Sequence, residues 1–430
     1  MPIQHAVLKE GLICGEVHDG YSVFKGVPYA APPVGALRFL PSQPVQPWAG
    51  VYEANHFSAA CPQLPQKPGS FYEKEFYSTP ERRPHLDEDC LYLNIWTPAT
   101  SSQANLPVAL WIHGGAFDHG FGHEIEFDGE VFCRRGVILV TINYRVNIFG
   151  FFSHPWMREN TDNLGIRDQI AALTWVREHI RAFGGDPDNI TVFGQSAGAI
   201  STQSLVSSPL TKGLISKAIF QSAGGYGTGL AAQSKSDADS FGIAFAQSIG
   251  AHSLDDLRTI PAITLMQKTM SFAEMSGVPL PFAPVYGTEV LPAPYDVLAQ
   301  KGDVADIPYI LGATRNDILA TGKSNPIQSG CIAWSQLMEK IRCKPSYVYA
   351  FHRALPGDDA GAFHSSELWY LFGTLRRCWR PFTPGDEVLS DRMTDAWTHF
   401  MKCGTPDDDG SWLPCSIDNP YVQVFDIRRC

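Results

Sequence analysis

Gly194-Gln195-Ser196-Ala197-Gly198 places a serine between glycines at −2 and +2. It follows an apolar run, Ile190 to Phe193, and precedes a helix-compatible run, Ala199 to Val206. On a sharp strand-to-helix turn those two flanking positions are crowded, so they must lack bulk. The turn presents the serine hydroxyl at the sheet edge, above a helix N-terminus whose dipole favours developing negative charge. Ser196 is therefore the candidate nucleophile. A hydroxyl is a poor nucleophile unaided and needs a base, an orienting acid and donors for the oxyanion. His113-Gly114-Gly115-Ala116-Phe117 follows a second apolar run, Val108 to Ile112. Successive glycines let backbone N–H groups turn into a pocket without side chains in the way. Gly114, Gly115 and the N–H of Ala197 are the expected oxyanion donors, each contributing about 3–4 kcal/mol to the transition state. His113 is expected to be structural, its ring bonded to backbone.

These motifs need a scaffold that brings strand ends together. Val108 to Ile112, Val137 to Ile142, Ile190 to Phe193, Ala218 to Phe220 and Tyr309 to Leu311 are short runs dominated by apolar residues. Between them, Leu173, Val176, Ile180 and Phe183 recur at helical spacing. Strands apolar throughout, separated by helices, predict a mostly parallel sheet covered on both faces. Ligands on such sheets bind at the carboxyl ends of the strands, where both motifs lie.

The composition agrees. Of 430 residues, 44% are hydrophobic and only 18% charged, which predicts a large core rather than disorder. The net charge of −11, with no long basic run, argues against nucleic acid or an anionic membrane as partner. No apolar run reaches the roughly 18–20 residues of a membrane span. The opening residues Met1 to His5 lack a basic segment followed by an apolar one. A cytoplasmic protein is thus expected, with secretion left open. Ten scattered cysteines with no C-x-x-C pair predict buried thiols and no metal site. Asn189-Ile190-Thr191 matches a glycosylation sequon but runs into a buried strand. Gly322-Lys323-Ser324 lacks the leading glycine of a phosphate-binding loop, since position 317 is Asp.

Over nearly its whole length the chain resembles the type-B carboxylesterase/lipase family of α/β-hydrolases, most of all the bacterial para-nitrobenzyl-esterase-like members. The likeness is carried by Phe24 to Ala30 with Pro32 to Gly35 and Arg38-Phe39, and by Glu88 to Trp96. Asn163-Leu164-Gly165, Asp168-Gln169, Phe183 to Pro187 and the serine motif follow in the family's order, then Trp397 to Phe400 and Cys403 to Pro406. The resemblance implies one α/β-hydrolase domain over 1–430, a mostly parallel central sheet flanked by helices, and no cofactor or metal. It also implies the order Ser…acid…His. The acid then falls in Gly312 to Asp317, where the family usually carries Glu and Asp317 is the carboxylate available. His364 matches the family's base, with an acidic residue and Phe372-Gly373 after it; His352 is the nearest rival.

The interval from Asp317 to His364 is compressed compared with relatives, in which it carries helices walling the entrance. We therefore expect 318–363 to be a shortened cap and the cleft to be open. Cholinesterase-like members carry a Trp in the early cysteine loop and a Glu before the nucleophile. Here that loop has Phe71, Tyr72, Phe76 and Tyr77 but no Trp, and position 195 is Gln. No choline preference is expected. Gln195, Phe117, Val278 and Leu280 are the expected substrate contacts, the last two as a roomy acyl wall or as ordinary packing. Cys61 and Cys90 align with the family's first disulfide, worth roughly 3–4 kcal/mol if oxidised and expected to stay reduced inside a cell.

The expected activity is that of a serine carboxylesterase of broad specificity acting on small-molecule esters. A lipase, an amide or carbamate hydrolase, and a non-catalytic binding protein on the same fold are the competing readings. A lipase needs a mobile apolar lid, and a binding protein usually loses the serine or the histidine.

Overall fold

The computed structural model describes residues 1–427 apart from 158, 159, 229, 231 and 279. Its centre is a ten-stranded sheet. In chain order the strands are β1 (Glu16–Val17), β2 (Ser22–Pro28), β3 (Tyr92–Thr97), β4 (Leu106–Ile112) and β5 (Ile138–Ile142), then β6 (Gly185–Gln195), β7 (Lys217–Gln221), β8 (Tyr309–Thr314), β9 (Ser346–Phe351) and β10 (Gln423–Phe425). Across the sheet they run β10-β9-β8-β7-β6-β4-β5-β3-β2-β1. Every pairing from β10 to β5 is parallel, and those from β5 to β1 are antiparallel.

Strand sequence dictates the layering. Along β4, Val108, Leu110 and Ile112 enter one core, while Ala109 and Trp111 enter the other. Both faces are thus apolar and both are covered, as a buried parallel strand requires. One face receives α2 (Leu164–His179), α3 (Ala197–Val206) and α6 (Pro326–Lys340), between α1 (Phe71–Phe76), α4 (Lys235–Ser248) and α5 (Ala262–Ser276) in chain order; the other receives α7 (Pro384–Cys403). Leu389, Met393, Trp397 and Phe400 on α7 form a helical stripe that is buried throughout.

Several sequence motifs are buried ion pairs. Arg145 donates from Nε and Nη2 to Asp168, both at 2.7 Å, with both side chains almost wholly buried. Arg38 grips Glu88 with two 2.6 Å bonds. Such pairs are costly to break from one side, at about 3–5 kcal/mol.

The interval 318–363 departs from the expectation of a cap. Most of it is core: α6 crosses from β8 to the parallel strand β9. A parallel connection needs a dozen residues or more, and counting length alone overlooked that need. Only the flanking stretches 318–325 and 352–363 remain outside the crossover. The longer helical insertion lies between β7 and β8, where α4 and α5 stand. Among the described residues no helix is long and apolar enough to cross a membrane.

Candidate active site

Ser196 sits between β6 and α3 at φ 57°, ψ −125°, a conformation few non-glycine residues hold. Its N–H donates to the Gln221 carbonyl on the neighbouring strand β7 at 2.9 Å, which braces the turn. The flanking glycines are required by contact. A Cβ on Gly194 would lie 2.4 Å from the backbone of Gly198; one on Gly198 would lie 2.0 Å from the Ile112 carbonyl oxygen. The elbow is therefore packed onto the end of β4, the strand that launches the glycine loop.

That loop is pressed against the serine. A Cβ on Gly114 would meet Ser196 Cβ at 3.2 Å, and one on Gly115, at φ +98°, would meet the His119 carbonyl oxygen at 2.2 Å. Ala116 and Phe117 also hold positive φ. His113 is buried, and its Nδ1 donates to the Gly114 carbonyl at 2.9 Å. Burial drives its pKa down to about 3, so the ring stays neutral and supports the loop as expected. Phe117 departs from expectation. It is 1% exposed and packs edge-on against Phe151 at 5.0 Å, so it underpins the loop and offers substrate no surface.

Asp317 and His364 are brought together by a stitch between two loops. Asn316 N donates to the Ala362 carbonyl at 2.9 Å, and Ala362 N donates back to Asn316 Oδ1 at 3.0 Å. Gly361, at φ +71°, lets this amide approach; a Cβ there would lie 2.5 Å from Asn316 Oδ1. The stitch sets Asp317 Oδ1 2.5 Å from His364 Nδ1. Asp317 is further fixed by the N–H groups of Thr314 at 3.0 Å and Ile318 at 2.8 Å. His352, the rival base, lies at the end of the edge-side strand pair, its N–H bonded to Phe425.

The His364 ring is buried, which lowers its pKa, but the charge and hydrogen bond of Asp317, with the charge of Glu367, outweigh that and raise it. With Nδ1–H donating to Asp317, Nε2 carries the lone pair. It accepts from Gln195 Nε2 at 3.2 Å, which ties the imidazole to the elbow. Gln195 is only 3% exposed. Glu367 is the acidic residue that follows His364 in the family's motif, and no role of its own was expected for it. It is fully buried, within reach of Ser222 Oγ at 3.4 Å and Gln221 Nε2 at 3.5 Å. Burial first, and then the Asp317 charge, raise its pKa to about 7. The sequence signal was its place three residues after His364.

The other expected positions lie apart from this cluster or on its rim. Val278 and Leu280 stand 40% and 38% exposed on the loop after α5. Cys61 and Cys90 are both buried and both carry free thiols; Cys61 Sγ accepts from Val146 N at 3.5 Å. Among the described residues no group of three His, Cys, Asp or Glu is arranged to hold a metal.

Comparison with known proteins decides the family. The carboxylesterase family model matches residues 4–328 and 327–429. The chain belongs to the carboxylesterase family. It is thus a serine hydrolase of carboxylic esters, on an α/β-hydrolase fold. This carboxylesterase is 34% identical to the para-nitrobenzyl esterase of Bacillus subtilis, over 94% of this chain and 91% of that protein. It is 30% identical to a phenmedipham hydrolase of Pseudarthrobacter oxydans, over 98% and 94%. Among solved structures it superposes on a thermophilic PNB esterase with a TM-score of 0.87, at 31% identity over 99% of this carboxylesterase and 96% of that chain. A Geobacillus stearothermophilus carboxylesterase gives 0.84 at 30% identity, over 99% and 96%.

Proposed function

We propose that Ser196 is the nucleophile of this carboxylesterase, His364 its base and Asp317 the acid that orients the base. The 2.5 Å bond from His364 Nδ1 to Asp317, beside a serine elbow that only glycines can flank, carries the reading. Asp317 holds the tautomer in which Nε2 is free to accept a proton. At rest that lone pair is taken by the Gln195 amide, and one lone pair serves one donor. Gln195 therefore yields as the Ser196 hydroxyl gives its proton to Nε2 and its oxygen bonds to the ester carbon. The oxyanion so formed is held by the N–H groups of Gly114, Gly115 and Ala197. His364 then protonates the departing alcohol, and water activated by the same nitrogen releases the acid.

The acyl side is open to solvent in this reading. Val278 and Leu280, the expected acyl wall, are both more than a third exposed, and the short flanks of 318–363 add little wall. Broad acceptance of small esters follows. Likeness to a phenmedipham hydrolase favours a second reading, in which the same residues cleave amide or carbamate bonds.

The test is a panel of para-nitrophenyl esters of increasing acyl length, with Ser196→Ala as control. Turnover of short esters should fall by about 10⁶ in the variant. Turnover that persists there would remove Ser196 from the mechanism.

A further inference from the structure

The six-residue helix α1 shows three different faces to the molecule. Phe71 and Tyr72 point toward the loop of the proposed base: Phe71 packs edge-on against Phe363 at 4.8 Å, and the Tyr72 hydroxyl donates to the His364 carbonyl at 3.4 Å. Both rings remain more than a third exposed. Phe76 stacks on Trp369 at 5.3 Å. Glu75 faces inward and is 3% exposed.

That buried carboxylate is the centre of a node. Its Oε1 accepts from Trp369 Nε1 at 3.1 Å and Arg380 Nε at 2.9 Å, and its Oε2 from Trp379 Nε1 at 3.0 Å. Arg380 also donates to Asp358 at 2.7 Å and 3.0 Å, and its guanidinium lies over the Phe363 ring at 5.1 Å. Lys74 Nζ sits 3.4 Å above the Trp379 ring. One carboxylate thus joins α1 to both flanks of His364, through Phe363 before it and Trp369 after it. So many charge-assisted bonds to a single buried group fix geometry strongly. Nothing in the proposed mechanism uses them.

We propose that Glu75 is a positioning residue of the reaction: it locks α1 so that Phe71 and Tyr72 form a rigid aromatic wall for the alcohol portion of the ester. This rests on the proposed role of His364. The leaving oxygen must come within hydrogen-bond reach of His364 Nε2 to be protonated, so the alcohol portion lies on the His364 side of the site. The wall on that side is aromatic and partly solvent-facing. It suits flat, apolar alcohol groups such as arylmethyl, which gain from edge or face contact with a ring.

Benzyl acetate and ethyl acetate test this, because they share an acyl group and leave as alcohols of similar acidity. Glu75→Gln keeps the side-chain volume but turns an N–H toward donors. Its kcat/KM for benzyl acetate should fall about tenfold, mostly through KM, while ethyl acetate stays within about threefold. Tryptophan emission should shift as one of Trp369 and Trp379 loses its acceptor oxygen to the amide NH2. Phe71→Ala and Tyr72→Ala alter exposed rings and should reproduce the same loss of selectivity, which carries the test if Glu75→Gln folds poorly. Equal losses on both esters, or an unchanged ratio in both ring variants, would overturn the proposal. The outcome is separable from the Ser196 assignment, since the ratio is read on variants that still turn over ethyl acetate.

Discussion

Ser196 and the glycine loop facing it are held by backbone contacts, whereas His364 and Asp317 are held by side chains and buried charge. In the first region the constraints are mainly steric, Gly194 on Gly198, Gly198 on Ile112 and Gly115 on His119, with hydrogen bonds from Ser196 N to Gln221 and from His113 to Gly114 added. In the second it is polar: Asn316 stitches the loops, Asp317 accepts three donors, and Glu367 adds a buried acid behind them. The steric half has one solution and no adjustment. The polar half is a balance among groups that titrate, so it is tunable by pH and by single charges.

Substitutions should separate the two halves. The largest effect is expected at Gly198→Ala, where the added methyl would sit 2.0 Å from a backbone oxygen that cannot move without β4. Overpacking of this kind costs about 1–3 kcal/mol, and both ester turnover and thermal midpoint should drop. A variant of full activity would show that the elbow relaxes freely. Next comes Asp317→Asn. It keeps the shape but favours the wrong tautomer of His364, so kcat should fall by about 10³–10⁴ with little change in melting temperature. Equal losses in stability and rate would mean that Asp317 is structural. The smallest effect is expected at Glu367→Gln. The Glu367 charge raises the His364 pKa; removing it lowers that pKa, so the base form persists to lower pH. The acid limb of kcat/KM should move down by on the order of one unit or less. Movement upward, or none, would remove Glu367 from the electrostatics of the site.

The same contrast explains what could be read in advance. Backbone crowding writes itself into sequence as glycine, so the Ser196 elbow and the Gly114-Gly115 loop were legible from residue types and context. The strands of the parallel sheet were legible for a similar reason, since burial on both faces leaves only apolar letters. Asp317 and His364 came from resemblance to a family, because nothing in local spacing distinguishes a buried carboxylate or imidazole from a surface one. Glu75 was missed for that reason, and Glu367 was seen only as the acidic residue after His364, with no role. Phe117 was taken for a pocket residue because an aromatic beside a glycine loop looks alike whether it faces in or out. The interval 318–363 was read as a cap because its length was compared with relatives before the crossover to β9 was subtracted.

The stitch between Asn316 and Ala362 closes that interval at its base. The Asp317–His364 geometry is set by the two ends; between them α6 and β9 belong to the core, so only the stretches flanking that crossover are free to vary in content. In the stretch between β8 and α6, Thr321 and Ser324 pair across a tight turn in which Gly322 has open space around it. The turn is therefore a natural port for inserted sequence: a segment added there extends away from a closed ring and leaves its clasp untouched.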